Sequence, residues 1–381
     1  LLSPFDVDDS ARKFVETEYG IKTTENLEEG INESEVCFIC SPNHLHKEHI
    51  ILALEGGNHI FVEKPVMTSI DQESKIRNLI NQKGVVCMVG SNLRFHPLIN
   101  KLKEMITEGK YGRILNIRIE QGSYLPSWRP GTDYRRNYGA NSNMGGGVIL
   151  DMIHELDYAF YIFGEAISVF CNSRKISQLE TDTEDFADIL IEFSKGFTCN
   201  IHIDYFQKKR TREIKIIFED MVVKADLISN TIGICKEEYG DYDYSKKEYD
   251  FNLSYIDEIN EFFDSINSKK KTRSDFDEGV KSLKVALMAK ESAHSGMKKI
   301  IANRTVAIVQ ARMNSSRLPG KALATIKGEP MLKKIIKRVG ASRMIDEIII
   351  ATTKGDDDDR ILEFCKKEDI LCYRGNEEDV L

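Results

Sequence analysis

The chain has 381 residues, 30% of them charged and 41% hydrophobic, with a formal net charge of −8 and a pI near 5.7. That length suits two or three domains, and the balance is that of a globular protein without a strongly basic surface, so nucleic acid is not expected as a partner. No run of about 18 apolar residues occurs, which leaves no membrane-spanning helix, and the eight cysteines show no disulfide or zinc framework.

Leu1 to Asp6 leads into a helix-like stretch from Ser10 to Tyr19. Residues 36–40 (Val-Cys-Phe-Ile-Cys) form a short apolar run closed by Ser41-Pro42-Asn43, which reads as a buried strand and a turn. Cys37 and Cys40 within it point to opposite faces. A helix from His44 to Leu54 follows, stopped by Gly56-Gly57. His59 to Val62 is the next buried strand, with Glu63-Lys64-Pro65 at its carboxyl end, completing a βαβ unit. Ligands of open parallel sheets bind beyond the carboxyl ends of the strands, and Pro65 keeps Lys64 extended, so that its ammonium is aimed. A second helix (Asp71 to Lys83) and strand (Val85 to Gly90) repeat the pattern and end at Ser91-Asn92-Leu93-Arg94-Phe95-His96-Pro97. His44, His46 and His49 lack a thiol or carboxylate partner at ligand spacing, so no metal site is expected there.

From Arg113 the pattern changes. Ile114 to Gln121, Thr198 to Tyr205 and Glu213 to Phe218 alternate apolar and polar residues, which suggests an antiparallel sheet with one wet face. Tyr124 to Arg136 is rich in aromatic and guanidinium groups and holds the only tryptophan, Trp128. Arginines beside aromatics suit a polar, anionic ligand, which makes Arg129, Tyr134 and Arg135 candidate substrate contacts; an ordinary loop packed on the sheet is the other reading. Gly145-Gly146-Gly147 then opens a helix on which Asp151, His154, Glu155, Asp157, Tyr158 and Tyr161 share one face at about 100° per residue. Met152, Ile153, Leu156, Ala159, Phe160 and Phe163 share the other, so the apolar side packs inward and the polar side meets a cleft or solvent. Tyr239 to Tyr249 is a polar hairpin candidate, and Asp275 to Ala293 is helical.

The set Ser41 to His46, Glu63-Lys64-Pro65, Asn92 to Pro97 and Gly145 to Asp157 resembles the Gfo/Idh/MocA oxidoreductases, in order and spacing, to about Ile301. These enzymes are NAD(P)-dependent and mostly act on sugars, inositols or nucleotide-sugars. The resemblance implies that Lys64, Asp151 and His154 form the catalytic group. His154 would take the hydroxyl proton, Lys64 would stabilise the developing charge on that oxygen, and Asp151 would position its partners. Many members separate the aspartate and histidine by four residues, and here they are three apart; either spacing keeps both on one helical face. Ser41, Pro42, Asn43, His46, Glu63, Lys64, Asn92 and Arg94 are the implied cofactor contacts. Asp6 falls where an acidic residue would bind the adenosine ribose and favour NAD over NADP, although it reads equally well as a capping or loop aspartate. The glycine-rich turn that cradles a pyrophosphate is not found, so the chain is expected to be amino-terminally truncated, with weak cofactor binding.

A new apolar strand begins at Val306 and opens into Ala311-Arg312-Met313-Asn314-Ser315-Ser316-Arg317-Leu318-Pro319-Gly320-Lys321, a small-residue loop suited to phosphate. Residues 304–381 carry 15 basic and 13 acidic groups, a net +2, whereas the preceding part carries −10, which marks a domain boundary. This loop, with Gly328 to Leu332, Ile348 to Thr353 and Arg374 to Leu381, is similar to the cytidylyltransferases that activate acidic sugars, of the sialate and spore-coat polysaccharide type. By that resemblance Arg312, Arg317 and Lys321 contact the triphosphate of CTP, and the Mg2+-binding aspartate of a complete domain lies beyond Leu381. Asp356 to Asp359 reads as a solvated helix start, since acidic residues suit a first helical turn.

The expected architecture is therefore α/β: residues 1–96 an incomplete Rossmann-type parallel sheet, residues 97–302 an α/β substrate and oligomerisation domain with a mostly antiparallel sheet, and residues 305–381 the start of a nucleotidyltransferase-like domain. The expected function is a cytoplasmic, homo-oligomeric NAD(P)-dependent oxidoreductase of a sugar or nucleotide-sugar. Its fused CTP-dependent sugar nucleotidyltransferase would serve surface-polysaccharide or acidic-sugar biosynthesis. A non-catalytic sugar- or nucleotide-binding fragment is the alternative.

Overall fold

The computed structural model describes residues 4–238, 240–301, 306–315, 318–342, 345, 347–368 and 370–376. They fall into two units, residues 1–301 and 302–381. In the first unit, helix α1 (Asp9–Tyr19) starts where Asp8 accepts the Ser10 amide, and α2 (Leu27–Asn32) where Asn26 accepts two amides. Strands β1 (Val36–Ile39), β2 (His59–Val62) and β3 (Cys87–Val89) alternate with helices α3 (His46–Gly56) and α4 (Glu73–Lys83). The strands pair in parallel in the order β1-β2-β3, and α3 stops at Gly57 with φ +85°, the left-handed cap that glycine adopts freely.

The expected βαβ repeat is thus present, with β1, α4 and β3 shorter than expected and α3 shifted two residues along the chain. One expectation fails on β1: Phe38 is 44% exposed rather than buried. Among the described residues β1 pairs only with β2, and the Phe38 ring leans on Phe61 and Phe262 at 5.3 and 5.7 Å instead of entering a two-sided core.

Helix α5 (Pro97–Glu108) begins with proline at its first position, where a missing N–H costs nothing. Then come β4 (Ile114–Gly122), the short helices α6 (Val148–Asp151) and α7 (His154–Phe163), and β5 (Ala166–Arg174), β6 (Phe186–Phe193), β7 (Thr198–Asp204) and β8 (Thr211–Phe218). They are followed by β9 (Val222–Asp226), β10 (Thr231–Cys235), β11 (Asp243–Lys246), α8 (Asn252–Ser268), α9 (Phe276–Ser295) and β12 (Lys299–Ile300). The nine strands form one sheet in the order β11-β10-β9-β8-β4-β7-β6-β5-β12, antiparallel except for β4 against β7. Its alternation buries Ile117, Ile119, Ile189, Ile191, Ile201, Ile214 and Ile216 in one core, each contributing about 1.5–3 kcal/mol by leaving water. The tyrosine-rich hairpin lies further upstream than expected: β10 pairs with β11, Thr231 opposite Lys246, and Tyr239 lies outside the described residues.

The second unit has its own parallel sheet, β13 (Val306–Gln310), a two-stranded ribbon of β14 (Thr325–Ile326) and β15 (Glu329–Pro330), then α10 (Met331–Gly340), β16 (Glu347–Thr353), α11 (Asp359–Lys367) and β17 (Leu371–Gly375). The order is β13-β16-β17, over a small core of Leu332, Ile350, Ile361 and Cys365.

Candidate active site

The glycine turn before α6 is set by space and by backbone. Gly145 has φ +76° and Gly147 φ +106°, and a Cβ at Gly147 would lie 2.4 Å from the Glu184 carboxylate. The helix expected to run unbroken through Asp151 and His154 is broken. α6 ends at Asp151, Met152 takes φ −96° and ψ 34°, and α7 restarts at His154. The two residues therefore do not share one helical face by regular spacing; the turn between them sets their relation.

Asp151 is the centre of the cluster. Lys64, at the end of β2, donates to the Asp151 carbonyl at 2.6 Å and to its Oδ1 at 3.2 Å. The Tyr138 hydroxyl donates to Oδ1 at 3.1 Å and the Tyr205 hydroxyl to Oδ2 at 3.0 Å. Three side-chain donors on one buried carboxylate fix it in direction. Burial works to lower the Lys64 pKa, but the charges of Asp151, Tyr138 and Glu63 outweigh it and leave the ammonium above its usual value. His154 is half-buried, and its Nδ1 has no hydrogen-bond partner among the described residues. Burial, then the charges of Lys64 and Arg212, push its pKa well below the usual 6.5, so the ring is neutral at pH 7. The arrangement offers a neutral proton acceptor beside an anchored cation. A cleft of about 380 Å³ lies along the same glycine turn, lined among others by His44, Gly145, Gly146, Leu150 and Lys290.

The polar face expected to meet a cleft or solvent is instead mostly interior. Glu155, Asp157 and Tyr158 are buried, because other elements supply partners for the charges. Arg212 donates to Glu155 at 2.9 Å. Arg94 grips Asp157 through two 2.8 Å bonds, and Ser282 adds a third at 3.0 Å. This changes the reading of Arg94, assigned above to the cofactor. Its guanidinium is 1% exposed and also bonds Glu278 and the Arg273 carbonyl, so it braces three segments of the protein with four of its five N–H groups. Asn92 likewise donates to Ser254 on α8 at 3.1 Å.

The remaining strand-end residues gather at the carboxyl edge of the parallel sheet. Asn43 donates to the Gly145 carbonyl at 3.0 Å, tying this edge to the glycine turn. The His46 ring spans the carbonyls of Pro65 and Ser41 at 2.7 and 2.8 Å, and the Ser41 hydroxyl meets His49 at 2.9 Å. Pro42 accepts the Leu45 amide and opens the turn into α3. Burial raises the Glu63 pKa against the pull of Lys64. Glu258 on α8, which the sequence did not single out, accepts the Ser91 amide; burial pushes it up to about 9, with Glu63 adding to the effect, so it is a neutral acid at pH 7. Asp6 is exposed and accepts the Asp8 amide at 2.8 Å, in the turn before α1.

The aromatic loop contributes unequally. The Arg129 guanidinium lies 5.1 Å from the centre of the Tyr138 ring and so touches a residue that holds Asp151. Trp128 packs edge-on against Tyr205 at 5.5 Å and bonds Ser123. Arg135 is paired with Asp133 and Glu180, and the Tyr134 hydroxyl accepts the Glu180 amide, so both serve the loop itself. Tyr138, Tyr205 and Arg212 were missed by sequence reasoning. Tyr138 lies two residues beyond the segment singled out, and nothing local marks the other two.

In the second unit the loop after β13 is shaped by Asp358. Its carboxylate accepts the Met313 amide at 2.6 Å and the amide and hydroxyl of Thr353 at 3.1 and 2.6 Å. Asp358 is 3% exposed, which corrects the reading of Asp356 to Asp359 as wholly solvated; the other three are exposed. Gly320, with φ +74°, donates back to the Met313 carbonyl and closes the loop. Arg312 and Lys321 are exposed on it, and Arg317 lies outside the described residues.

Comparison with known proteins gives three family matches. Residues 4–91 match the oxidoreductase family NAD-binding Rossmann fold, residues 99–223 the GFO/IDH/MocA C-terminal domain, and residues 306–381 cytidylyltransferase. The chain is 28% identical over 276 residues to the uncharacterized oxidoreductase YrbE of Bacillus subtilis, covering 68% of this chain and 76% of that protein. It is 31% identical over 215 residues to the glucose-6-phosphate 3-dehydrogenase of the same organism, covering 53% of this chain and only 59% of the relative. The fold resembles levoglucosan dehydrogenase in complex with NADH and levoglucosan, with a TM-score of 0.70 at 19% identity over 78% of this chain and 89% of that one.

Proposed function

Since the chain carries the NAD-binding and C-terminal domains of the GFO/IDH/MocA oxidoreductase family, with a cytidylyltransferase domain after them, we propose that its first unit interconverts a secondary alcohol and a ketone on a sugar or nucleotide-sugar. The observation that carries this reading is the Lys64–Asp151 pair beside a neutral His154 whose Nδ1 has no hydrogen-bond partner among the described residues. An orphaned buried ring nitrogen at the carboxyl edge of a parallel sheet fits the reacting end of a dinucleotide, since that edge is where such sheets bind ligands. Ser41, Asn43, Glu63 and Lys64 would hold NAD, favoured over NADP on the strength of Asp6. When bound, the nicotinamide supplies the two-electron acceptor for the carbinol hydrogen. His154 receives the hydroxyl proton. Lys64 keeps its charge and donates a free N–H to the same oxygen as negative charge grows there. Asp151, held by Tyr138 and Tyr205, keeps Lys64 in place. Arg129 and Tyr138 would meet the substrate, with Tyr134 and Arg135 shaping their loop.

The chain divides functionally near residues 96 and 302–305 on this reading. The last part, through Arg312, Arg317 and Lys321, would bind the CTP triphosphate in a domain that needs Mg2+ when complete. Joining the two activities suits a homo-oligomeric cytoplasmic enzyme of acidic-sugar or surface-polysaccharide synthesis. The test is NADH formation at 340 nm with a panel of sugars and nucleotide-sugars. Lys64→Ala and His154→Ala should each lower kcat/KM by about 10²–10⁴ with folding unchanged. Turnover that survives both replacements would sink the assignment.

A further inference from the structure

A cavity of about 510 Å³ opens at the amino ends of β2 and β3, on the edge of the parallel sheet opposite Lys64. Its apolar wall is made by Ile80, Val85, Val86 and Ile266, and three consecutive lysines, Lys269 to Lys271, line the other side. Lys271 is paired with Asp275 at 3.3 Å and Arg77 with Asp277 at 2.7 Å, so the acidic residues of the cavity are already matched. Lys269 and Lys270 make no ion pair among the described residues. Lys269 sits at φ +55°, the left-handed region that a non-glycine residue seldom occupies.

Two further polar groups belong to the same lining. Thr272 is 6% exposed, and its hydroxyl has no hydrogen-bond partner among the described residues, an arrangement that costs about 1–3 kcal/mol unless something else satisfies it. His59 accepts the Val86 amide through Nδ1 at 2.9 Å, which leaves its ring proton on Nε2 as a donor. A hydroxyl, an imidazole N–H and two unpaired ammonium groups opposite an aliphatic wall are complementary to an organic anion with a flat or apolar body. The volume is that of a nucleotide-sized ligand and exceeds what a free phosphate ion needs.

We propose that this cavity is a ligand site separate from the Lys64 cluster, taking an organic phosphate of nucleoside monophosphate size, its phosphate on Lys269 and Lys270 and its base against Ile80, Val86 and Ile266. Nothing in the chemistry at Lys64 and His154 requires it, so it serves to sense a ligand rather than to turn one over.

The test is hydrogen exchange on the full chain with CMP, UMP, AMP and GMP at millimolar concentration, and with inorganic phosphate as a separate arm. At least one nucleotide should protect the segments 80–87 and 266–277. Lys269→Ala/Lys270→Ala should weaken that protection tenfold or more, and Thr272→Val, which keeps the shape, should weaken it several-fold. NADH affinity should be unchanged in both variants. Exchange resolves this site from residues 306–321, where nucleotide binding to the second unit would register instead. Absence of protection by all four nucleotides overturns the proposal, as does protection that persists in the double variant. Equal protection by inorganic phosphate would refute the role of the aliphatic wall.

Discussion

Replacing Arg94 by methionine removes the cation from a sealed pair and leaves its anion behind. Asp157 is 4% exposed, and without Arg94 its remaining side-chain donor among the described residues is the Ser282 hydroxyl at 3.0 Å. Two 2.8 Å charge-assisted bonds go, together with the bonds from Arg94 to Glu278 and the Arg273 carbonyl. Removing one partner of a buried pair costs about 3–5 kcal/mol, because a desolvated charge is stranded, whereas replacing both with apolar groups is often neutral. Arg94→Met should therefore lose about 3–5 kcal/mol of stability, and Arg94→Met/Asp157→Leu should recover at least half of that loss. The assay is urea unfolding followed by the fluorescence of Trp128, the only tryptophan, which reports the first unit alone. A single-variant loss under about 1 kcal/mol, or a double variant whose losses simply add, would refute the stranded-charge argument. Near-normal stability with weakened NADH binding would return Arg94 to the cofactor.

His154 must be neutral to accept a proton and its pKa lies well below 6.5, while Lys64 must stay charged and its pKa lies above 10.5. The pH profile of kcat/KM should therefore be flat from about 6.5 to 10, and an acid limb centred at 7 or above would contradict the burial of His154. His202 contacts Asp204 and Asp188, and these bonds raise its pKa to about 9. Its stabilisation is complete below the unfolded value near 6.5 and is lost as pH rises through about 9. The gap in Tm between the native protein and His202→Gln should accordingly be widest near pH 6 and shrink towards pH 10; a gap that grows with pH would reverse the sign. Asp358→Asn in the second unit weakens the acceptor for Met313 and Thr353, at a cost of about 1–3 kcal/mol. Amide exchange at Met313 and Thr353 should quicken, and unchanged exchange at both would mean that the loop holds itself.

The βαβ repeat and the large sheet were legible because they rest on local periodicity. His59 to Val62 carries four consecutive strand residues bounded by Gly56-Gly57 and Lys64-Pro65, and Ile214 and Ile216 alternate with polar neighbours. Lys64, Asp151 and His154 stood out by their place at a strand end and on a helix face, and their resemblance to a family motif made them a candidate group; the structure brings Lys64 and Asp151 together across 87 positions. The break between α6 and α7 was not legible. Met152 and Ile153 are ordinary helix residues, and only the surrounding packing makes the chain turn there.

Sequence alone determined which faces of the elements are apolar and where turns interrupt them, since those depend on neighbours along the chain. What only the tertiary structure decided is the fate of each buried charge. Asp157 looks identical to Asp151 in the sequence, yet one is sealed against Arg94 and the other is held by two tyrosines beside Lys64. The reason is that an ionised group in a low-dielectric interior is governed by whichever countercharges lie within a few ångströms, and those are supplied by elements distant in the chain.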